Sequence, residues 1–209
     1  MYAEDQHVYM PFATDEDASG SWLQRIVYEM RRGAANSGKS DIHGMSKALD
    51  TGLWKEPLMD PVTCRTASLY FPIGPWPADI KNNAQAQVVR YAGSLMRQDV
   101  MSVQKAGHAV IKRLGYSEET LSEWSKKADE EIMDGNKRMW FRMRLAWGQR
   151  RSEQRSLATP VPSSTNDASS LETVYPYYYI YTTQEESLRE AALRNRGKDL
   201  PEPPLSTSA

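Results

Sequence analysis

Between Ser21 and Arg32 the apolar residues Leu23, Ile26, Val27 and Met30 recur at helical spacing, while Arg25, Glu29 and Arg32 take the other side. The pattern predicts an amphipathic helix with Ser19 or Ser21 as N-cap and Gly33 as its stop. A shorter helix is predicted over 41–49, ended by Asp50-Thr51-Gly52. From Val62 to Phe71 the residues become β-branched and aromatic, and Pro72-Ile-Gly-Pro-Trp-Pro77 closes the run, which predicts a strand and a stiff turn. Two helices are predicted next. Ile80–Arg97 carries Ala84, Val88, Tyr91 and Leu95 on one face; Val100–Leu114 carries Val103, Ala106, Val110 and Leu114, and Gly115 ends it. Ser117 caps a further helix, with Glu118 and Glu119 at its positive end and Leu121, Trp124, Ala128 and Ile132 facing inward. In 139–147 the alternation is strict: Met139, Phe141, Met143, Leu145 and Trp147 against Trp140, Arg142, Arg144 and Ala146.

Two strands make a marginal sheet in water. The helices can cover the apolar side of 139–147 only in part, and its edge stays open for pairing. The pattern therefore reads as the end of a larger sheet. Beyond Arg150 the pattern fades. Residues 159–170 are Pro, Ser, Thr and Asn with almost nothing to bury, so 152–209 is expected to be a largely disordered tail with a short helix over 184–196. Its Tyr175-Pro-Tyr-Tyr-Tyr-Ile-Tyr181 patch either docks on a partner or the sheet edge, or stays unordered.

Composition changes this picture little. Hydrophobic residues make up 40% of 209, and the mean hydropathy of -0.66 agrees with a chain that lies partly outside any core. With 26 basic and 27 acidic residues the net charge is -1, so no global field favours nucleic acid or an anionic membrane. A single cysteine, Cys64, excludes an internal disulfide and a cysteine-rich zinc site. Met1 to Asp17 has no signal-peptide order, and no run approaches the ~18 apolar residues of a membrane span. Cytoplasmic placement is the expectation.

The segment Phe71-Pro-Ile-Gly-Pro-Trp-Pro77, the helix start Leu114-Gly-Tyr-Ser-Glu-Glu119 and the ending Met139 to Arg151 together resemble a family of fungal S-adenosylmethionine-dependent methyltransferases. That family includes secondary-metabolite enzymes and relatives of the velvet-associated global regulator. Thr14-Asp-Glu-Asp17 followed by Trp22 is similar to the acidic loop and Trp-bearing helix after the family's fifth strand. The resemblance spans about 4–151 and implies an α/β fold: the C-terminal strands and helical cap of a Rossmann-like class I methyltransferase, placed in residues 1–151. It implies methyl transfer from S-adenosylmethionine to a small molecule, with the nucleus as a second compartment. The family's cofactor loop is glycine-rich, and no G-x-G occurs in this sequence. The expectation is therefore a truncated or split chain with no cofactor-binding residues, inactive alone, that a protein partner supplying or covering the missing sheet would complete. The alternative is a non-catalytic interaction or regulatory remnant.

Methyl transfer asks for little beyond alignment, because the sulfonium is already activated. Trp76, held between Pro75 and Pro77, and Trp22 are the candidates for lining a substrate pocket, against the plainer reading of both as packing residues; no catalytic base stands out. Gly33-Ala-Ala-Asn-Ser-Gly-Lys39-Ser40 matches a phosphate-binding loop formally, yet it follows an amphipathic helix rather than a buried strand, so a plain inter-helix loop is expected. His7, His43 and His108 have no metal-ligand spacing. Arg138, Arg142, Arg144, Arg150, Arg151 and Arg155 suggest a solvated strand face rather than a nucleic-acid patch.

Overall fold

Ser21 starts the first helix: its Oγ accepts from Gln24 N at 3.2 Å, and α1 runs Trp22–Asn36. A carboxylate 108 residues further along the chain adds a second cap, Glu131 Oε2 accepting from Leu23 N at 3.1 Å. The computed structural model describes residues 13, 19–37, 42–76, 80–134, 137–151 and 175–195. Within them follow α2 (Ile42–Thr51), β1 (Arg65–Pro72), α3 (Asn83–Ala106), the single turn α4 (His108–Ile111), a 3₁₀ turn Lys112–Leu114, α5 (Glu118–Met133), β2 (Trp140–Trp147), β3 (Tyr178–Tyr181) and α6 (Gln184–Asn195).

Gly33 does not stop α1. The helix continues through it to Asn36, and the missing side chain serves packing, because a Cβ there would stand 2.6 Å from the Val110 carbonyl. The two helices expected over 80–114 are joined from 83 to 106. Asn82 caps this α3 by accepting from Ala84 N and Gln85 N, and Gln98-Asp99 contains no breaker. The break comes instead at Gly107, which packs against Met30. At α5 the expectation holds: Ser117 Oγ accepts from Thr120 N at 3.2 Å, and Leu121, Trp124, Ala128 and Ile132 are all buried.

These four residues meet Trp22, Leu23 and Ile26 of α1, with Ile73, Ile111 and Met139, in the main core. Ile26, Ile111 and Leu121 are almost fully enclosed, each contributing roughly 1.5–3 kcal/mol of burial.

The sheet has three strands in the order β2-β1-β3, and both pairings are antiparallel. β1 and β2 match over their full length, from Arg65↔Trp147 to Pro72↔Trp140. The third strand comes from the tyrosine patch, Thr66↔Tyr181 to Leu69↔Tyr178, so the patch docks on the sheet edge. α6 follows and covers the inner side of the sheet, so 175–195 belongs to the folded domain; 152–174 and 196–209 lie outside the described residues. The coarse α/β expectation is met by this mixture of helices and a small antiparallel sheet.

Two apolar faces differ from expectation. On α3 the inward residues are Ala86, Val89, Gly93 and Gln104, while Val88, Tyr91, Leu95 and Val103 are exposed, Tyr91 by 68%. On β2 the alternation is as read, but Phe141, Met143, Leu145 and Trp147 point outward, 39–40% exposed, and the arginines point inward. Arg142 and Arg144 therefore form no solvated face, whereas Arg155 lies outside the described residues. The physical reason is a buried acceptor set. Arg144 pairs with Asp50 of α2 through Nε at 3.1 Å, and donates to Ser68 Oγ at 2.8 Å and to Ser187 Oγ at 3.0 Å. Ser187 donates to the Asp50 carbonyl at 2.7 Å and accepts from Thr66 at 2.8 Å. This network ties the sheet to α2 and α6.

Candidate functional site

Past β1 the chain turns sharply. Ile73 N donates to Met139 O at 2.8 Å and Gly74 N to Gly93 O at 3.1 Å. Gly74 has φ +133, a conformation side chains disfavour, and Gly93 has no room for a Cβ against the Gly74 carbonyl. The turn is thus clamped onto α3, and it carries Trp76 to the end of the sheet.

There Trp76 meets an aromatic cluster. Its ring lies 4.7 Å edge-on from Trp140, which lies 4.6 Å from Tyr177; Tyr177 and Tyr175 are 6.0 Å apart, and Tyr175 is 5.7 Å from Phe71. Arg138 stands 5.9 Å from the Trp76 ring. Trp76 is half-buried, and its Nε1 is enclosed with no hydrogen-bond partner among the described residues. Tyr175 donates to the Tyr70 carbonyl at 2.8 Å, and burial pushes its phenol far above the usual range. Burial likewise raises Tyr181 to about 12. Neither phenol serves as a base near neutrality. The rings pack edge-on against one another at the end of the sheet, with Tyr175 and Tyr177 buried and Trp76 at the half-exposed margin.

Trp22 lies elsewhere. It packs in the main core, 6.4 Å from Trp124, with Lys127 Nζ 4.3 Å from its ring, so the two tryptophans line no common pocket. Gly33 to Asn36 of the phosphate-loop match are helical, while Lys39 and Ser40 lie outside the described residues. His7 and the acidic segment 14–17 also lie outside them. Cys64 is buried, its thiol bonded to the Asp60 carbonyl at 3.3 Å, and burial followed by Asp60 raises its pKa, which removes it as a nucleophile. No group of His, Cys, Asp and Glu among the described residues is arranged to hold a metal. No helix among the described residues is long and apolar enough to cross a membrane.

His108 makes a pairing that sequence reading passed over: its Nε2 sits 2.7 Å from Ser125 Oγ, with Glu118 3.9 Å from Nδ1. Ser125 is buried in mid-α5, so its hydroxyl is out of reach of a substrate. Burial first, then Lys112 and Lys105, depress the His108 pKa. A folded-state pKa below the unfolded value means that the unfolded chain takes up the proton first. This part of the stability is present above about pH 6.5 and is lost as pH falls through the depressed value. Denaturation from pH 7 to pH 5 is expected to weaken the native chain more than His108→Gln, by up to about 1.4 kcal/mol per pH unit. Equal slopes would remove His108 from this role.

Several backbone N–H groups of the strand-to-helix connections are engaged within the chain. The described parts of these connections are 73–76 and 80–82 in one and 182–183 in the other. In the first, the Gly74 N–H is spent on Gly93 and Trp76 lies over the glycine. In the second, Thr182 and Thr183 donate their N–H groups to Glu186. No family model matches the chain, and neither a curated protein nor a solved structure does.

Proposed function

We propose that this chain is the substrate-side part of an S-adenosylmethionine-dependent methyltransferase of fungal secondary metabolism, working in cytoplasm or nucleus. In this reading the cofactor is bound by a complementary Rossmann-like half and the acceptor is a planar, apolar small molecule. The observation that carries the reading is the clamped Pro72–Trp76 turn, which delivers Trp76 to an aromatic cluster beside β2. The resemblance of that turn to the family's motif supplies the reaction class. Trp76, half-buried at this cluster, would present its ring to the acceptor. The chain's own part in catalysis is alignment. The test is calorimetric titration of S-adenosylhomocysteine into the folded chain, alone and with the cofactor-binding half of a methyltransferase from the resembled family.

A second reading, a non-catalytic interaction protein of the same ancestry, is favoured by one observation: the outward apolar rows of β2 and α3.

A further inference from the structure

α6 docks on the sheet without an apolar stripe. Among its described side chains only Ser187 and Ala191 are buried, Gln184 and Glu190 are half-buried, and Leu188 and Leu193 are each 44% exposed. α1 and α5, by contrast, bury tryptophan, leucine and isoleucine. Burial of an apolar face is what ordinarily holds a helix of this length, because twelve residues alone are marginal in water.

The contacts that α6 makes with the rest of the chain are largely polar. Gln184 Nε2 donates to the Thr51 carbonyl at 3.1 Å, and Glu190 accepts from the Tyr70 hydroxyl at 3.0 Å. Ser187 uses its whole hydrogen-bonding capacity: it donates to the Asp50 carbonyl at 2.7 Å and accepts from Thr66 at 2.8 Å and from Arg144 at 3.0 Å. One hydroxyl thus joins α6 to α2, β1 and β2. Bonds of this kind are exchanged for bonds to water at small net cost, so a helix fastened by them opens more readily than one seated in a core.

The segment before α6 is fixed differently. β3 pairs with β1 from Thr66↔Tyr181 to Leu69↔Tyr178, Tyr70 N donates to the Tyr177 carbonyl at 3.0 Å, and Tyr175 and Tyr177 are buried. Only Thr182 and Thr183 separate this anchored strand from α6, and both are exposed. Their N–H groups donate to Glu186, which ties the start of α6 to the connector rather than to the sheet.

We infer that α6 is a lid on the inner face of the sheet, opening about Thr182–Thr183 while 175–181 stays in place, with Ser187 as its latch. Opening frees the Thr66 hydroxyl, the Asp50 carbonyl and Nη2 of Arg144 on the floor beneath. Access to that floor is set by the strength of the latch.

Native-state amide exchange of the full chain, corrected for intrinsic rates and read by mass spectrometry, tests the lid. Amides of α6 are expected to be protected relative to free peptide, yet to exchange about a hundredfold faster than those of α5 and about tenfold faster than those of 175–181. Ser187→Ala is expected to speed α6 about tenfold further and to leave α5 and 175–181 nearly unchanged. An α6 that exchanges in step with α5 in the native chain would show that it opens only with the whole fold. Exchange of 175–181 in step with α6 would remove the hinge, and α6 amides without protection would remove the closed state. These three outcomes are read on the native chain, whatever the stability of the variant. A Ser187→Ala chain in which every segment speeds up alike would make the serine a support of the whole fold and not a latch.

Discussion

Arg144→Ala is expected to destabilise the chain by about 3–5 kcal/mol, the cost of leaving a buried ion unpaired. The reason lies on the inner side of the sheet. Arg144 is ion-paired with Asp50 and donates to Ser68 and Ser187, and both serines are fully buried. Truncation leaves the Asp50 carboxylate with Arg142 at 4.0 Å and takes a donor from each serine, while Ser187 keeps its bonds to Thr66 and the Asp50 carbonyl. For a domain of this size the loss corresponds to a fall in Tm on the order of 10 °C. The paired change Arg144→Met with Asp50→Leu removes the charge and its counter-charge, and is expected to recover most of the loss. Thermal and urea denaturation measure both. A single variant within ~0.5 kcal/mol of the native chain would show that water satisfies the network and that α2 and α6 are held by other contacts.

Glu29→Ala is expected to cost a similar amount, about 3–5 kcal/mol. Glu29 is buried in mid-α1, paired to Arg25 at 3.2 Å and to Arg32 at 2.8 Å, and accepts from Tyr116 at 3.2 Å. Arg25 lies 4.9 Å from the Trp124 ring, so the carboxylate also fixes a cation against the main core. Alanine improves helix propensity slightly, by a few tenths of a kcal/mol, which does not offset the loss of the charge. Glu29→Gln keeps an acceptor for Arg32 and Tyr116 and is expected to lose about half as much, a ranking that urea denaturation of the two variants reads directly. An alanine variant no worse than the glutamine variant would mean that the charge at this position carries no weight.

The legible parts of this fold are those where one local rule settles the outcome. α1 and α5 have an N-cap serine and an apolar stripe; α5 stands as read, whereas α1 runs on past Gly33, its Val27 is exposed and its Glu29, counted on the polar side, is buried. β1 and β2 are legible for the same reason, composition in one and strict alternation in the other. Periodicity identifies that a face is apolar; it does not say what covers it. On α3 and β2 the stripe counted as inward faces out; on β2 this is because polar partners distant in sequence, Asp50 and Ser187 above all, draw its arginine side into the protein. No local pattern encodes a contact between positions 50, 144 and 187. The tyrosine patch was legible as sticky, and its strand-forming composition was the signal for β3; its register against Thr66–Leu69 was not. Of the candidate site, Trp76 was found from the proline-fixed turn, whereas its neighbours Trp140, Tyr175 and Tyr177 come from two other segments. Trp22 was drawn in by its residue type and belongs to the core.

The most direct measurement is calorimetric titration with S-adenosylhomocysteine of the purified chain, its folding checked by circular dichroism, repeated after addition of the cofactor-binding half. The chain alone is expected to give no binding heat, and the mixture to bind the ligand more tightly than the added half does by itself. Stoichiometric micromolar binding by the chain alone would contradict the account, since it would require a cofactor site with no glycine-rich loop. A mixture no tighter than the added half would contradict it from the other side.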